Sequence, residues 1–380
     1  MIKILKKEYL LLLFLTANLT AEYSFLMSIS KVLFYVTLAV SFLFCVSSFD
    51  TIIKKYRTCK HVYILVLIYI LYQFTVGISY VSLDAMLYLL SKCVVFGTMV
   101  LCINKNFSFY FRKVIRPFAF IILGLLILGY VVHPLDYAGN MAFGFINRNA
   151  GTAMATISFA GFLFTTEKFK YRDYLILTVL LAAILMGGSR NSFAMCLVLV
   201  LIRYRISSQL IIASLAGLVL VLYIFPYMGL SVEAFDRVME TLTNQISLDR
   251  ETQREAALWM IKSRPETGWG FEAQMQGYAA ELTELGSHNG YLDHLMFMGI
   301  YFGALWILVL LLGAINRLKL FSLHDNFVNY HLAVMLAVLL GANNEAFLVG
   351  VNQITTNIFY VSYVLLGVYI YRYGYRKHQI

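Results

Sequence analysis

From Tyr9 to Tyr371 the chain is a succession of apolar runs, and their length limits what it can fold into. Twelve can be drawn: residues 9–26, 33–48, 61–80, 83–103, 118–132, 150–164, 174–188, 191–202, 210–225, 291–315, 330–342 and 354–371. Most approach the about 20 helical residues that cross a bilayer's hydrocarbon. In lipid each backbone amide must be satisfied within its own segment, so such runs become helices. Composition agrees: 61% of residues are hydrophobic and 13% are charged, against about 25% charged in soluble domains. The expectation is an all-α polytopic membrane protein of about twelve transmembrane helices, one integral domain over residues 1–380.

Charge sets the expected orientation. The short loops and tails that share a side with the N-terminus hold roughly 21 of the 30 basic residues, the asymmetry of cytoplasmic loops. They include Lys3, Lys6, Lys7, Lys54, Lys55, Arg112, Arg116, Lys168, Lys170, Arg203, Arg317 and Arg372. Both termini are then cytoplasmic. The net charge of +10 is explained by topology, and nucleic acid is excluded as a partner. The first run continues to Met27 without a small-residue cleavage site, so it reads as a membrane helix and not a signal peptide.

Against this background one long polar interval stands out, residues 227–288, between the ninth and tenth runs. It falls on the extracytoplasmic side. Val232, Phe235, Val238, Met239, Leu242 and Ile246 form an apolar stripe at helical spacing within it. Thr252 and Glu255 have capping-box spacing, expected to open a helix that Pro265 ends. Gly268-Trp269-Gly270 reads as a turn.

The seventh and eighth runs are short. Fifteen helical residues reach about 22 Å, less than the about 30 Å of hydrocarbon. They form a hairpin whose tip, Gly187-Gly188-Ser189-Arg190-Asn191-Ser192, lies below the outer surface, with Asn191 or Ser192 as the expected cap.

Candidate functional residues gather on that outer side. Arg190 is an ionisable residue at membrane depth, beside exposed amides and a helix N-terminus, and fits an anion site. An arginine that snorkels to lipid head groups fits equally well. Arg250 and Arg254 lie four residues apart and would share a helical face. Two guanidinium forks there could grip a diphosphate, or form a solvated face paired with Glu251 and Glu255. His288, where the long loop re-enters the membrane, is the side chain suited to proton transfer near neutral pH. Asn289 follows it, and His294 is expected to pack between helices with Asp293 or Asn289 as partner. Asn147-Arg148-Asn149 and Asn343-Asn344-Glu345 are two further polar clusters on this side, fit to line a sugar cavity or to be ordinary helix ends.

The five cysteines match no metal spacing, and none is expected to form a disulfide in the long loop. There is no Asp-x-Asp pair and no phosphate loop of P-loop form, so neither metal nor cofactor is expected.

The order of motifs resembles the O-antigen ligase/polymerase family of bacterial polysaccharide assembly. The resemblance rests on GFINRNAGTAM (144–154), GGSRNSF (187–193), the run from Arg250 through AALWMIKSRPETGWGF, and SHNGYLDHLMFMGIYFG (287–303). It implies a GT-C-like glycosyltransferase with one long extracytoplasmic loop, in the bacterial cytoplasmic membrane. It also implies undecaprenyl-diphosphate-linked oligosaccharides as donor and acceptor, without a metal. Arg190 and Arg250 would neutralise the diphosphate and His288 would take the acceptor's proton. Arg254, Arg148, Asn147, Asn149 and Asn289 would contact substrate. Spacing back from Pro265 aligns Arg250 with the family arginine, and Arg254 stands where the family often carries tryptophan. A flippase and a chain-length regulator of the same pathway are the implied partners, besides the bilayer. The expected activity is that of a polymerase of capsular, exopolysaccharide or O-antigen repeat units. A ligase that moves finished glycan to another acceptor shares these motifs. A transporter without chemistry fits the helix count but not the one-sided clustering of polar groups.

Overall fold

The structure is a computed structural model and describes residues 7–102, 110–205, 248–271, 287–323, 325–351 and 353–377. The run 210–225 and the stripe from Val232 to Ile246 lie outside these residues. Among the described residues there are two isolated β-bridges, Tyr23 with Phe145 and Leu135 with Met141, and otherwise helices and turns.

The helices, in chain order, begin with α1 (Lys7–Ala21), α2 (Met27–Ser47), α3 (Phe49–Lys54), α4 (Tyr56–Phe74) and α5 (Leu83–Cys102). After a π-helical turn (Phe111–Ile115) come α6 (Arg116–Val132), α7 (Arg148–Thr165), α8 (Tyr171–Met186) and α9 (Arg190–Tyr204). The last four are α10 (Leu248–Ser263), α11 (Gly290–Leu318), α12 (Asn326–Gly341) and α13 (Ile354–Lys377). Each apolar run that falls on described residues coincides with a helix. Five helices among the described residues are long and apolar enough to cross a membrane: Ser28–Ser47, Leu83–Cys102, Phe111–Val132, Gly290–Ser322 and Ile354–Arg372. Tyr9–Glu22, Thr58–Phe74 and Asn326–Gly341 are apolar but shorter, so the expected twelve spanning helices are not supported among the described residues.

Helix starts follow local chemistry. Asn147 caps α7 by accepting from the Ala150 amide, and Asp325 caps α12 by accepting from Phe327. Pro117 sits at the start of α6, where a missing amide leaves nothing unpaired. Ser189 caps α9, accepting from the Ser192 amide at 3.4 Å. The expected caps, Asn191 and Ser192, are already inside that helix. Helix α10 is under way from Leu248, so Thr252 and Glu255 lie within it and form no capping box.

The bundle is built around α7, α12 and α13, which are buried along most of their length. Helices α2, α6 and α8 and the outer face of α11 expose large apolar side chains such as Leu33, Val36, Val131, Tyr174 and Tyr301. An apolar belt of this kind is what lipid, not water, covers. Arg317, expected in a short cytoplasmic loop, is instead within α11 and 1% exposed. Its Nε donates to the Tyr363 carbonyl at 2.7 Å and its guanidinium lies 3.6 Å over the Tyr363 ring.

Candidate active site

One end of α7, α11, α12 and α13 carries a polar cavity of about 380 Å³. Its walls come from four chain segments: Glu22 after α1, Asn147 and Asn149 at the start of α7, His288 ahead of α11, and Glu345 to Gln353 between α12 and α13. The side chains meet on one carboxylate. Asn149 Nδ2 donates to Glu345 Oε1 at 2.9 Å, and His288 Nδ1 faces Glu345 Oε2 at 3.4 Å. Glu345 is 11% exposed at its side chain and His288 36%, so the imidazole is the more open of the two.

Local structure holds His288 in place. Its φ is +48°, in the left-handed region. The turn is closed on the far side by Asn289, whose side-chain oxygen accepts from the Tyr291 and Leu292 amides at 3.0 Å. Asn289 Nδ2 donates to the Asn343 carbonyl at 2.9 Å, and the Gly290 amide to the Ala342 carbonyl at 2.8 Å. The start of α11 is thus stitched to the segment that carries Glu345.

That segment is clamped in turn. Tyr88 OH donates to the Val349 carbonyl at 2.9 Å, Lys92 Nζ to Gly350 at 3.1 Å, and Asn357 Nδ2 to Val351 at 3.0 Å. Lys92 is 2% exposed in the middle of α5, with the Tyr88 ring 5.3 Å away. Glu22 Oε1 accepts from the Ile354 amide at 2.9 Å and so caps α13.

The hairpin tip abuts the same helix ends. Asn191 Nδ2 donates to the Gly341 carbonyl at 3.3 Å, and the Ser192 and Thr152 hydroxyls lie 3.0 Å apart. A Cβ on Gly187 would come within 2.2 Å of Thr152 Cγ2, so a glycine is needed there. Thr152 is one helical turn beyond Asn149, and Glu345 follows four residues after Gly341. Arg190, half-buried at the start of α9, therefore stands beside the elements that hold Glu345.

Arg250 and Arg254 both fall in α10, four residues apart as required for one face. Arg254 is exposed; the Arg250 side chain lies outside the described positions. What fixes α10 is the turn that follows it. Helix α11 breaks at Gly299 (φ +71°), and the break is filled by Pro265 to Gly270. The Ile300 amide donates to the Pro265 carbonyl at 2.7 Å and the Trp269 amide to Met296 at 3.0 Å. A Cβ on Gly268 (φ +66°) would lie 2.4 Å from the Gly299 nitrogen. The turn is a joint between α10 and α11.

The structure sorts the sequence-derived residues. His288 and Asn149 meet on Glu345. Asn147 and Asn289 spend their side-chain oxygens as helix caps. Arg148 Nη1 donates to Asn140 Oδ1 at 2.8 Å and its amide to Asp136 Oδ2 at 3.3 Å, which fixes the preceding loop. Burial opposes the Asp136 charge, but hydrogen bonds from Asn140, Arg148 and Ala138 outweigh it and hold its pKa below the usual carboxylate value. His294 does not pair with Asp293 or Asn289. Its Nδ1 bonds the Gly290 carbonyl at 2.7 Å, which leaves Nε2 to accept from Tyr69 OH at 2.9 Å. Asp293 is bonded by the Ser287 hydroxyl. From sequence, Glu345 belongs to a polar cluster fit to line a sugar cavity or to be a helix end, and no role attaches to Lys92 or Glu22. Lys92 was legible as a lone cation inside an apolar run. Nothing in the sequence links Glu345 to His288. Among the described residues no group of three or more His, Cys, Asp or Glu is placed to hold a metal ion.

A family model described as O-antigen ligase matches residues 175–308. That interval includes the hairpin tip, α10, the turn at Gly268 and the start of α11. No curated protein matches the chain.

Proposed function

From the match of residues 175–308 to the O-antigen ligase family model, we propose that the chain polymerises undecaprenyl-diphosphate-linked oligosaccharide repeat units into surface polysaccharide. The observation that carries the mechanism is the His288–Glu345 pair at the cavity wall. With Nδ1–H directed to the carboxylate, Nε2 carries the lone pair that a general base needs. An acceptor sugar hydroxyl would attack the anomeric carbon of the donor and give its proton to His288. The bond from that carbon to the diphosphate oxygen breaks as the new glycosidic bond forms, and the electron pair leaves on the lipid diphosphate. In-line attack inverts the anomeric centre.

Arg190 is the cation we assign to the leaving diphosphate, since a preorganised positive group in a water-poor site stabilises developing charge. Arg250 is assigned to the same group from α10, with Arg254 as its neighbour on the exposed face. A GT-C-like architecture, an outward-facing site in the cytoplasmic membrane and cytoplasmic termini complete the reading. The crowding of basic side chains at the end of the bundle away from His288 supports that orientation. So does the apolar belt.

Purified protein incubated with lipid-linked repeat units should lengthen the glycan. Unchanged glycan length with intact, folded protein would overturn the polymerase reading. The family description favours one second reading, transfer of finished glycan to another acceptor. In that case glycan appears on the added acceptor and no ladder of lengths forms.

A further inference from the structure

The largest cavity described lies at the opposite end of the bundle from His288. Helices α7, α12 and α13 each run from one cavity to the other: Asn149, Glu345 and Thr355 line the first, and Thr165, Asn326 and Tyr369 line the second. The span is about 20–25 Å at helical rise. The second cavity holds about 720 Å³ and is lined by Arg112, Arg116, Lys168, Lys170, Arg172 and Arg372.

The three acids in its lining do not match that charge. Asp173 accepts from the Lys170 amide at 2.9 Å and offsets one cation, Arg172, whose Nε lies 3.7 Å from its carboxylate, while Asp325 is bonded by the Phe327 amide at 2.8 Å and by Tyr369 OH at 2.9 Å. Both are engaged in holding helix ends, and Glu167 alone is left in the lining. Arg203 donates to the Leu163 and Thr166 carbonyls at 3.1 and 3.3 Å and to Asn326 Oδ1 at 2.7 Å, which ties α9, α7 and α12 together. Phe111 and Phe327, with ring centroids 5.1 Å apart, give the basin an apolar wall as well.

We propose that this basin binds the phosphate-bearing head group of an anionic phospholipid from the leaflet at that end of the bundle. Guanidinium forks match phosphate oxygens bidentately, and basic pockets between membrane helices are where such head groups seat. A lipid is favoured over a soluble anion because the basin continues into the apolar belt. Arg116 lines it from α6, and Phe120, one turn on, is 48% exposed. Arg172 lines it from α8, and Leu175, one turn on, is 55% exposed. Those faces give the acyl chains a track away from the charged pocket.

The test is native mass spectrometry of the full-length protein in detergent, with added cardiolipin, phosphatidylcholine or inorganic phosphate. Wild type should retain cardiolipin and not phosphatidylcholine. The combined variant Arg112→Gln, Lys168→Gln, Arg172→Gln changes three exposed side chains and should weaken retention by about tenfold or more. Lys168→Glu should weaken it more than Lys168→Gln, which separates charge from folding. Equal retention by wild type and the combined variant, or equal retention of phosphatidylcholine, overturns the proposal. Stabilisation by inorganic phosphate with no cardiolipin retained overturns the assignment to a lipid.

Discussion

Glu345 stands 57 residues beyond His288 in the chain and faces it across 3.4 Å, Oε2 to Nδ1. A histidine held in this way keeps one tautomer, and its outer nitrogen is available to a substrate. His288→Ala should therefore lower turnover of lipid-linked repeats by about 10²–10⁴, the usual contribution of a general base. Glu345→Gln should lower turnover with little change in KM, while the protein remains in the membrane. A Glu345→Gln enzyme with wild-type turnover would remove the pair from the mechanism.

Arg190 lies at the start of α9, next to residues that bond α7 and α12. Arg190→Ala should abolish polymer in cells without loss of membrane-inserted protein. Arg250→Lys should also be impaired, because an ammonium cannot reproduce the guanidinium fork. Full polymer from Arg250→Lys would move the diphosphate contact to Arg254 or away from α10.

Gly268 and Gly299 bring two backbones together where no Cβ fits. Gly268→Ala adds both a backbone clash and a strained φ of +66°. A loss of roughly 2–4 kcal/mol is expected, read as a lower thermal midpoint in detergent. Because this joint aims α10 at the start of α11, turnover should fall even in protein that remains folded.

Asp136 has its pKa held below the unfolded value by hydrogen bonds from Asn140, Arg148 and Ala138, which outweigh its burial. A depressed pKa means that its stabilisation is complete above about pH 3.9 and is lost as pH falls through the lower folded value. Hydrogen exchange at the Ala138 and Asn140 amides should accelerate across that window. Asp136→Asn should show fast exchange at those amides already at neutral pH. Slow exchange in Asp136→Asn would contradict the role of the carboxylate.

The sequence carries no residue set for a divalent ion, and the mechanism proposed for His288 and the arginines needs none. Chelator should leave the activity of purified enzyme unchanged. Activity lost to chelator and restored by a divalent ion would replace the proposed mechanism.

Much of this protein is set by local pattern. The apolar runs dictate helices because lipid offers the backbone no other partner. The shortness of 174–188, the glycines at 187 and 188, and Pro265 with the Gly-Trp-Gly turn were all readable, since each depends on residues within one or two turns. His288 stands out in the sequence as a candidate by its chemistry and its place at a membrane junction. Its partner was not. Glu345, Asn149 and Lys92 come from distant parts of the chain and meet only when α5, α7, α11 and α12 pack. The same holds for Arg317, which follows an apolar run in sequence yet is buried against Tyr363 in the bundle. Spacing along a chain fixes which face a side chain occupies on its own helix; which carboxylate or carbonyl lies opposite is decided by packing between helices.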